Sequence, residues 1–131
     1  MLATETMSES NSSSLILRRK IAFSCSYLYT ENNPVGYGHN FTFEVFLKGS
    51  IDPKTGLVVN LTDVKPFLKQ TIGLLDHKNL KKDLNEFKAS TVISEADILD
   101  FILNHLKGKI PNVELVGGRL YYLDQFVEKL I

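Results

Sequence analysis

The chain has 131 residues, of which 44% are hydrophobic and 23% charged, a composition typical of one globular domain. Its 15 basic and 15 acidic residues cancel, and Arg18–Lys20 is its longest basic run, so nothing indicates nucleic-acid binding. No apolar stretch approaches the roughly 20 residues that span a bilayer, and the single cysteine, Cys25, excludes an internal disulfide. We therefore expect a cytoplasmic protein of a reducing compartment, with no nucleic-acid or membrane partner.

The first part of the chain predicts a tail followed by strands. Residues 1–14 are rich in Ser, Thr, Glu and Asn and lack the apolar core of a signal peptide, so we expect a flexible tail. Residues 15–27 favour β structure, and Phe41–Lys48 alternates strictly, with its odd-numbered apolar residues on one side. A turn signal over Asp52–Gly56, followed by the apolar Leu57–Val59, predicts a hairpin.

Two helices are predicted next. Thr62 is a good N-cap, and Pro66 would lie in the first turn, where its missing N–H costs little. Ser94 with Asp97 three residues on predicts a capping box for the second helix, which Gly108 would end.

The last part of the chain predicts a second hairpin and a terminal helix. Gly117–Gly118 between Val113–Val116 and Arg119–Leu123 is typical of a tight turn between two strands. In residues 124–131 the apolar side chains recur at helical spacing, which predicts a short amphipathic helix packed on its own subunit or on a neighbour. The fold class is thus α+β, ordered β-β-α-α-β-β, with two helices on one face of a four-stranded antiparallel sheet in a single domain over 15–123.

Several motifs together resemble one enzyme family. The segment Glu31–Phe41 reads Glu-Asn-Asn-Pro-Val-Gly-Tyr-Gly-His-Asn-Phe and resembles the Cys-Asn-Asn-Pro-x-Gly-His-Gly-His-Asn-Tyr segment of 6-pyruvoyltetrahydropterin synthases. Leu75–Leu80 resembles the Leu-Asp-His-x-x-Leu motif of the same family, and Asp52–Leu61 its segment before the first helix. The resemblance implies a T-fold, in which the sheets of several subunits join into a barrel and trimers stack into hexamers with active sites between subunits.

The resemblance also identifies three metal-ligand positions. The family binds a catalytic zinc through three histidines, whose positions here hold Tyr27, Tyr37 and His39. A neutral phenol, with an ordinary pKa near 10, is a poor zinc ligand, and one imidazole alone does not hold zinc tightly. We therefore expect zinc to be weakly bound or absent, with His39 as a remnant ligand.

Glu31 stands where the family has its catalytic cysteine, and two interpretations are open. It is either a general base that replaces the thiol or a solvated loop carboxylate. The first interpretation resembles an apicomplexan variant of the family, which has an acidic residue here and cleaves the pterin side chain to a hydroxymethyl group.

Asp76 and His77 are the candidates for proton transfer. A histidine can move a proton near neutral pH while an adjacent carboxylate fixes its tautomer, the role that the resemblance implies. The alternative is a turn at a helix end, in which both residues only cap.

The candidates for substrate binding are carboxylates and a hydroxyl. The resemblance implies that Glu114 anchors the pterin ring, with Ser94 and Glu95 beside it, because a carboxylate can accept two parallel N–H donors from a 2-amino-4-oxo ring. The alternative for Glu114 is an outward-facing strand residue.

Two hypotheses follow from these residues. The first is a lyase of the 6-pyruvoyltetrahydropterin synthase type, acting on a 7,8-dihydroneopterin triphosphate-type pterin in tetrahydrobiopterin or folate-type metabolism. The second is a catalytically inactive T-fold homologue that binds pterin or serves as a structural subunit.

Overall fold

A computed structural model of the chain describes residues 15–27, 37–49, 53–54, 56, 61–89 and 92–131, with the side chains of 37–38 and 61–63 left undescribed. The predicted tail and Glu31 lie outside the described residues. The elements, in chain order, are β1 (Leu15–Tyr27), β2 (Tyr37–Gly49), α1 (Leu61–Gly73), β3 (Lys78–Asn79), α2 (Leu80–Asp83), a 3₁₀ turn (Asn85–Phe87), α3 (Glu95–Leu106), β4 (Glu114–Tyr122) and β5 (Gln125–Leu130).

The strands form one sheet in the order β3-β1-β2-β4-β5. β1 and β2 pair antiparallel along their whole length, and β2 pairs antiparallel with β4 on its other edge. β5 continues the antiparallel sheet beyond β4, whereas the two-residue β3 runs parallel to the end of β1. The predicted α+β class with four antiparallel strands is confirmed, and β3 is added at one edge.

One of the two predicted hairpins is wrong. The other, which pairs Leu57–Val59 with the preceding strand, falls on a segment outside the described residues. Gly117 and Gly118 lie inside β4 and not in a turn. Because neither has a side chain, the backbone of a neighbouring strand can approach each of them closely. A Cβ at Gly117 would lie 2.4 Å from the Lys129 carbonyl oxygen, and one at Gly118 would lie 2.9 Å from the Glu44 carbonyl oxygen.

The predicted amphipathic helix over 124–131 is also wrong. The chain turns at Leu123, whose φ is +56°, and Gln125–Leu130 pairs antiparallel with β4 as β5. So short a helix would be marginal alone, whereas the strand gains a hydrogen-bonded ladder and packs Val127 against the core. The domain therefore does not end at residue 123.

The helices cover one face of the sheet. The odd-numbered residues of β2 from Phe41 to Leu47 are all buried there, as the alternation predicts. The Ser94–Asp97 capping box forms at the start of α3, and Gly108 follows the helix with φ +75°. α1 begins at Leu61, ahead of the predicted cap at Thr62, which places Pro66 in the second turn.

The opposite face of the sheet, called here the open face, is covered by long side chains. Phe46 is only 1% exposed because the guanidinium groups of Arg18 and Arg119 lie 4.1 and 5.6 Å from its ring centroid. The Lys20 ammonium lies 4.7 Å from the Tyr121 ring centroid in the same way. Among the described residues, no helix is long and apolar enough to cross a membrane.

Candidate functional site

The turn after α1 carries the predicted proton-transfer pair to the edge of the sheet. The His77 N–H donates to the Ser24 carbonyl oxygen at 2.6 Å, and the next two residues pair with β1 as β3. His77 has a φ of +61°, a conformation uncommon outside glycine that costs conformational energy. The turn is therefore fixed against β1 by backbone contacts on both sides of His77.

Asp76 and His77 contact one another in this turn. Asp76 Oδ1 accepts from the Ser24 N–H at 2.9 Å and lies 3.1 Å from His77 Nδ1. The His77 side chain is 83% exposed, so its other ring nitrogen is accessible to a substrate. A carboxylate at Nδ1 favours the tautomer in which Nε2 can accept a proton.

The pair lies at a cleft of about 370 Å³ on the open face, a volume that admits a small ligand. The cleft is bordered by β1, β2, the end of β4 and the turn to β5, and its lining residues are Ala22, Phe23, Ser24, Asn40, Phe41, Thr42, Asp76, His77, Tyr121 and Leu123. Of the candidate site residues whose side chains are described, Asp76 and His77 line it.

Ser24 and Asn40 are polar cleft residues that the sequence analysis missed. The Ser24 hydroxyl donates to Asn40 Oδ1 at 2.5 Å, which joins β1 to β2 beside the Asp76 carboxylate. Ser24 lies between the buried Phe23 and Cys25, and Asn40 precedes the buried Phe41, so period-two patterning could have placed both on the opposite face. Asn40 is exposed, and its amide can offer donors to a ligand in the cleft.

Tyr121 connects the cleft to a buried charge. Its hydroxyl donates to Glu44 Oε1 at 2.6 Å, and Arg119 Nη1 donates to the Tyr121 oxygen at 3.3 Å. Arg119 also pairs with Glu128, and this hydrogen bond, followed by that to Tyr121, raises the arginine pKa further above its usual range. Glu44 is thus a buried carboxylate held in a hydrogen-bonded network on the open face.

Tyr27 and His39 lie together on the helix side of the sheet. Tyr27 is fully buried, and its ring centroid is 5.3 Å from that of His39. The His39 ring also lies edge-on to Tyr122 at 4.6 Å and to Phe41 at 6.1 Å. We call Tyr27, His39, Phe41 and Tyr122 the aromatic cluster. Tyr37 pairs with Tyr27 in the strand register, but its side chain is not described.

A comparison with protein families gives the decisive match: the model of 6-pyruvoyl tetrahydropterin synthase matches residues 17–121. The chain belongs to the 6-pyruvoyl tetrahydropterin synthase family. Membership supports an enzyme-type function in pterin metabolism, as the motifs imply.

Curated relatives agree with this assignment. The 6-pyruvoyl tetrahydrobiopterin synthase of Homo sapiens is 35% identical over 122 residues, covering 81% of this chain and 83% of the human protein. The protein of the same name from Poecilia reticulata is 43% identical over 81 residues, covering 61% of this chain and 54% of its own length. The chain thus spans about half the length of the Poecilia relative and most of the human one.

Solved structures of the family share the fold. The Caenorhabditis elegans 6-pyruvoyl tetrahydropterin synthase superposes with a TM-score of 0.76 at 24% identity, covering 89% of this chain and 95% of that one. A Plasmodium vivax 6-pyruvoyltetrahydropterin synthase, described as a catalytic-residue mutant with a glutamate replaced by alanine, gives a TM-score of 0.60 at 15% identity. It covers 90% of this chain and 100% of that one. The fold is therefore the T-fold of this family.

The family uses zinc, but the residues at the three ligand positions do not fit that metal. A catalytic zinc site needs three good donors that converge on one point. Here His39 is the one imidazole at these positions, and it lies among aromatic rings, with Tyr27 buried beside it. Within the described part of the chain, no group of three His, Cys, Asp or Glu residues could hold a metal ion.

The predicted substrate-binding residues lie away from the cleft within one chain. Glu114 pairs with Lys48 of β2, whereas the cleft residue Tyr121 pairs with Thr42, six residues earlier in β2. At about 3.3 Å per residue, the two pairs are about 20 Å apart. Glu114 is exposed at the start of β4. Ser94 caps α3 through its contacts with Asp97, and neither Ser94 nor Glu95 lines the cleft.

The thiol of the single cysteine is buried. Cys25 is buried on the helix side of β1, and burial, followed by the nearby charge of Asp76, raises the pKa of its thiol to about 12. The thiol is therefore protonated at neutral pH and cannot replace the thiol that the family has at the position of Glu31.

Proposed function

We propose that this chain is a carbon–oxygen lyase of the 6-pyruvoyltetrahydropterin synthase type that acts on a 7,8-dihydroneopterin triphosphate-type pterin. The observation that carries the proposal is the Asp76–His77 pair, which two backbone contacts to Ser24 hold at a cleft. Family membership and relatives named as 6-pyruvoyl tetrahydrobiopterin synthases support the substrate class. The activity would serve tetrahydrobiopterin or folate-type metabolism in the cytoplasm.

His77 would act as the general base in an elimination. Nε2 would take a proton from a side-chain carbon, the C–H electron pair would form the new double bond, and the triphosphate would leave with the C–O electron pair. Asp76 would hold Nδ1 and stabilise the imidazolium that forms. No step is assigned to zinc.

Glu31 would supply a second acid–base group at the cysteine position. The Plasmodium vivax relative, in which a glutamate is described as a catalytic residue, supports an acidic residue in this role. Glu114, with Ser94 and Glu95, would hold the pterin ring. Because Glu114 lies about 20 Å from the cleft along β2, a site that uses both needs a second subunit.

The oligomer would join sheets through their edges. Among the described residues, β1 pairs on its outer side only at Cys25–Ser26, and β5 has no strand on its outer side. Unpaired strand edges favour pairing with another chain. A homotrimer or hexamer that joins these edges would close a barrel and bring Glu114 of one copy near the cleft of another.

Pterin binding tests the substrate assignment. Calorimetry with biopterin or neopterin should show binding to the wild type, and Glu114→Gln should weaken it more than Glu31→Gln does. The glutamine amide places an N–H donor opposite the N–H donors of the pterin ring. This mismatch costs about 1–3 kcal/mol of binding free energy when the unmatched groups are buried. Equal affinities of the two variants would show that Glu114 does not hold the ring, and no binding to the wild type would refute the substrate class.

The second candidate function is a non-catalytic homologue that binds pterin or serves as a structural subunit. The packed rings of Tyr27 and His39 at two ligand positions favour it. Pterin binding without turnover of dihydroneopterin triphosphate would identify this function.

A further inference from the structure

Three strand ends meet at the aromatic cluster. Tyr27 is the last residue of β1, His39 and Phe41 lie near the start of β2, and Tyr122 is the last residue of β4. Because these strands are neighbours in the sheet, the four rings lie on one side of it, where they end the hydrophobic core. The cluster contains Tyr27 and His39, which stand at two of the three positions where the resemblance implies zinc ligands.

The ring geometry is that of a packed aromatic core. His39 meets the Tyr122 ring at an interplanar angle of 69° and the Phe41 ring at 75°, both edge-to-face arrangements that aromatic rings favour. Phe41 in turn lies 5.5 Å from Tyr122 and 5.9 Å from Tyr27, which closes the ring of contacts. Every member of the cluster thus contacts at least two others.

The donor chemistry of the cluster points the same way. Phe41 has no ligand atom, and the tyrosines offer neutral phenols, which bind zinc poorly beside imidazole and thiolate. His39 packs against the rings of Tyr27, Phe41 and Tyr122, and of these neighbours none offers a second imidazole, thiolate or carboxylate.

We infer that the aromatic cluster replaces the family's zinc centre, so that His39 holds the ends of β1, β2 and β4 together as a packing ring and does not ligate a metal. Ring contacts thus hold the three strand ends in place, as a bound zinc would otherwise do. This inference does not depend on turnover, because it concerns metal binding and stability.

The first test measures the thermal unfolding of the chelator-treated full chain with and without equimolar Zn²⁺. Zn²⁺ should raise the Tm of the wild type no more than it raises that of His39→Phe. A zinc-induced rise in Tm that disappears in His39→Phe but persists in His105→Ala would overturn the inference, because it would show ligation by His39. A rise that persists in His39→Phe comes from another site and supports it. His105 is a suitable control since it lies on α3, 3.4 Å from Glu86 and outside the cluster.

The second test compares ring-keeping and ring-removing changes without metal. His39→Phe retains the ring contacts and should unfold at a clearly higher temperature than His39→Ala, which should lose about 5 °C or more relative to the wild type. If His39→Ala does not fold, the same comparison can be made at Tyr122, where Tyr122→Phe keeps the ring and Tyr122→Leu removes it. Equal Tm values for the ring-keeping and ring-removing variants would overturn the structural role.

Discussion

At the scale of single residues, the site depends most on Ser24. Its N–H, carbonyl and hydroxyl contact Asp76, His77 and Asn40 respectively, so one strand residue positions the proposed proton-transfer pair and joins two strands. The Asp76–His77 pair could be predicted from a sequence motif, but Ser24 could not, because two of its three contacts use backbone atoms that any residue has. Asn40 could have been found from strand alternation.

Cys25 gives a prediction at the same scale. Its thiol has a pKa of about 12 in the folded protein and an ordinary value of 9.0 when exposed. As the pH rises above 9, the unfolded chain loses this proton first, so Cys25 lowers the free energy of unfolding progressively between pH 9 and 12. The loss is at most about 1.4 kcal/mol per pH unit.

Urea unfolding at several pH values checks this prediction. Other groups also titrate in that range, so the quantity to follow is the difference between the wild type and Cys25→Ala. The free energy of unfolding of Cys25→Ala should increase relative to that of the wild type as the pH rises from 9 to 12. A constant difference across the window would contradict the burial of the thiol.

At the scale of elements, β2 and the two long helices, α1 and α3, followed from the sequence, whereas the arrangement of the chain after α3 did not. The strict alternation of Phe41–Lys48 and the Ser94–Asp97 capping box are local patterns, and both are confirmed. The Gly117–Gly118 pair has the sequence of a turn, but in the structure the two glycines let the backbones of β5 and β2 approach β4 closely. Only the tertiary structure shows these contacts. The residues of β5 fit a helical period as well as a strand, and pairing with β4 decides between them.

The contacts of Gly117 make a second prediction. Gly117→Ala would place a methyl group 2.4 Å from the Lys129 carbonyl oxygen, so β4 and β5 must separate locally. We expect a loss of about 1–3 kcal/mol in the free energy of unfolding, measured by urea denaturation. Gly73→Ala at the end of α1 is the matched control, because nothing lies within 4 Å of its added Cβ, and it should not destabilise the protein. Similar stabilities for the two variants would contradict the β4–β5 register.

At the scale of the whole molecule, the residues assigned to one site lie apart in one chain. The cleft with Asp76 and His77 is on the open face, the aromatic cluster is on the helix side, and Glu114 is at the far end of β4. Sequence motifs identify such residues but do not show their separation, because the resemblance gives positions along the chain. The proposed oligomer, joined through β1 and β5 edges, would bring Glu114 of one copy near the cleft of another.

The outer edge of β5 is the place to test that oligomer. Ile131 donates its N–H to the Val116 carbonyl oxygen, so by alternation the Leu130 N–H faces away from β4. Leu130→Pro should therefore keep the β4–β5 ladder and block pairing with a neighbouring chain. Leu130 is 69% exposed, and Leu130→Thr is the matched control that keeps the N–H.

Sedimentation gives the result. The wild type and Leu130→Thr should have the mass of a trimer or hexamer, and Leu130→Pro the mass of a monomer, with unchanged circular dichroism in all three. The same mass for the proline and threonine variants would exclude the β5 edge as the interface.

We propose that this T-fold chain is a pterin lyase whose Asp76–His77 pair moves protons without zinc. The most direct measurement is the release of triphosphate from 7,8-dihydroneopterin triphosphate by the chelator-treated wild type, with His77→Gln as the control. His77 is exposed, so its replacement should leave stability within about 0.5 kcal/mol of the wild type. We expect release by the wild type without added zinc and a fall of about 100-fold or more in His77→Gln. No release by the wild type, or release that requires zinc or survives in His77→Gln, would contradict it.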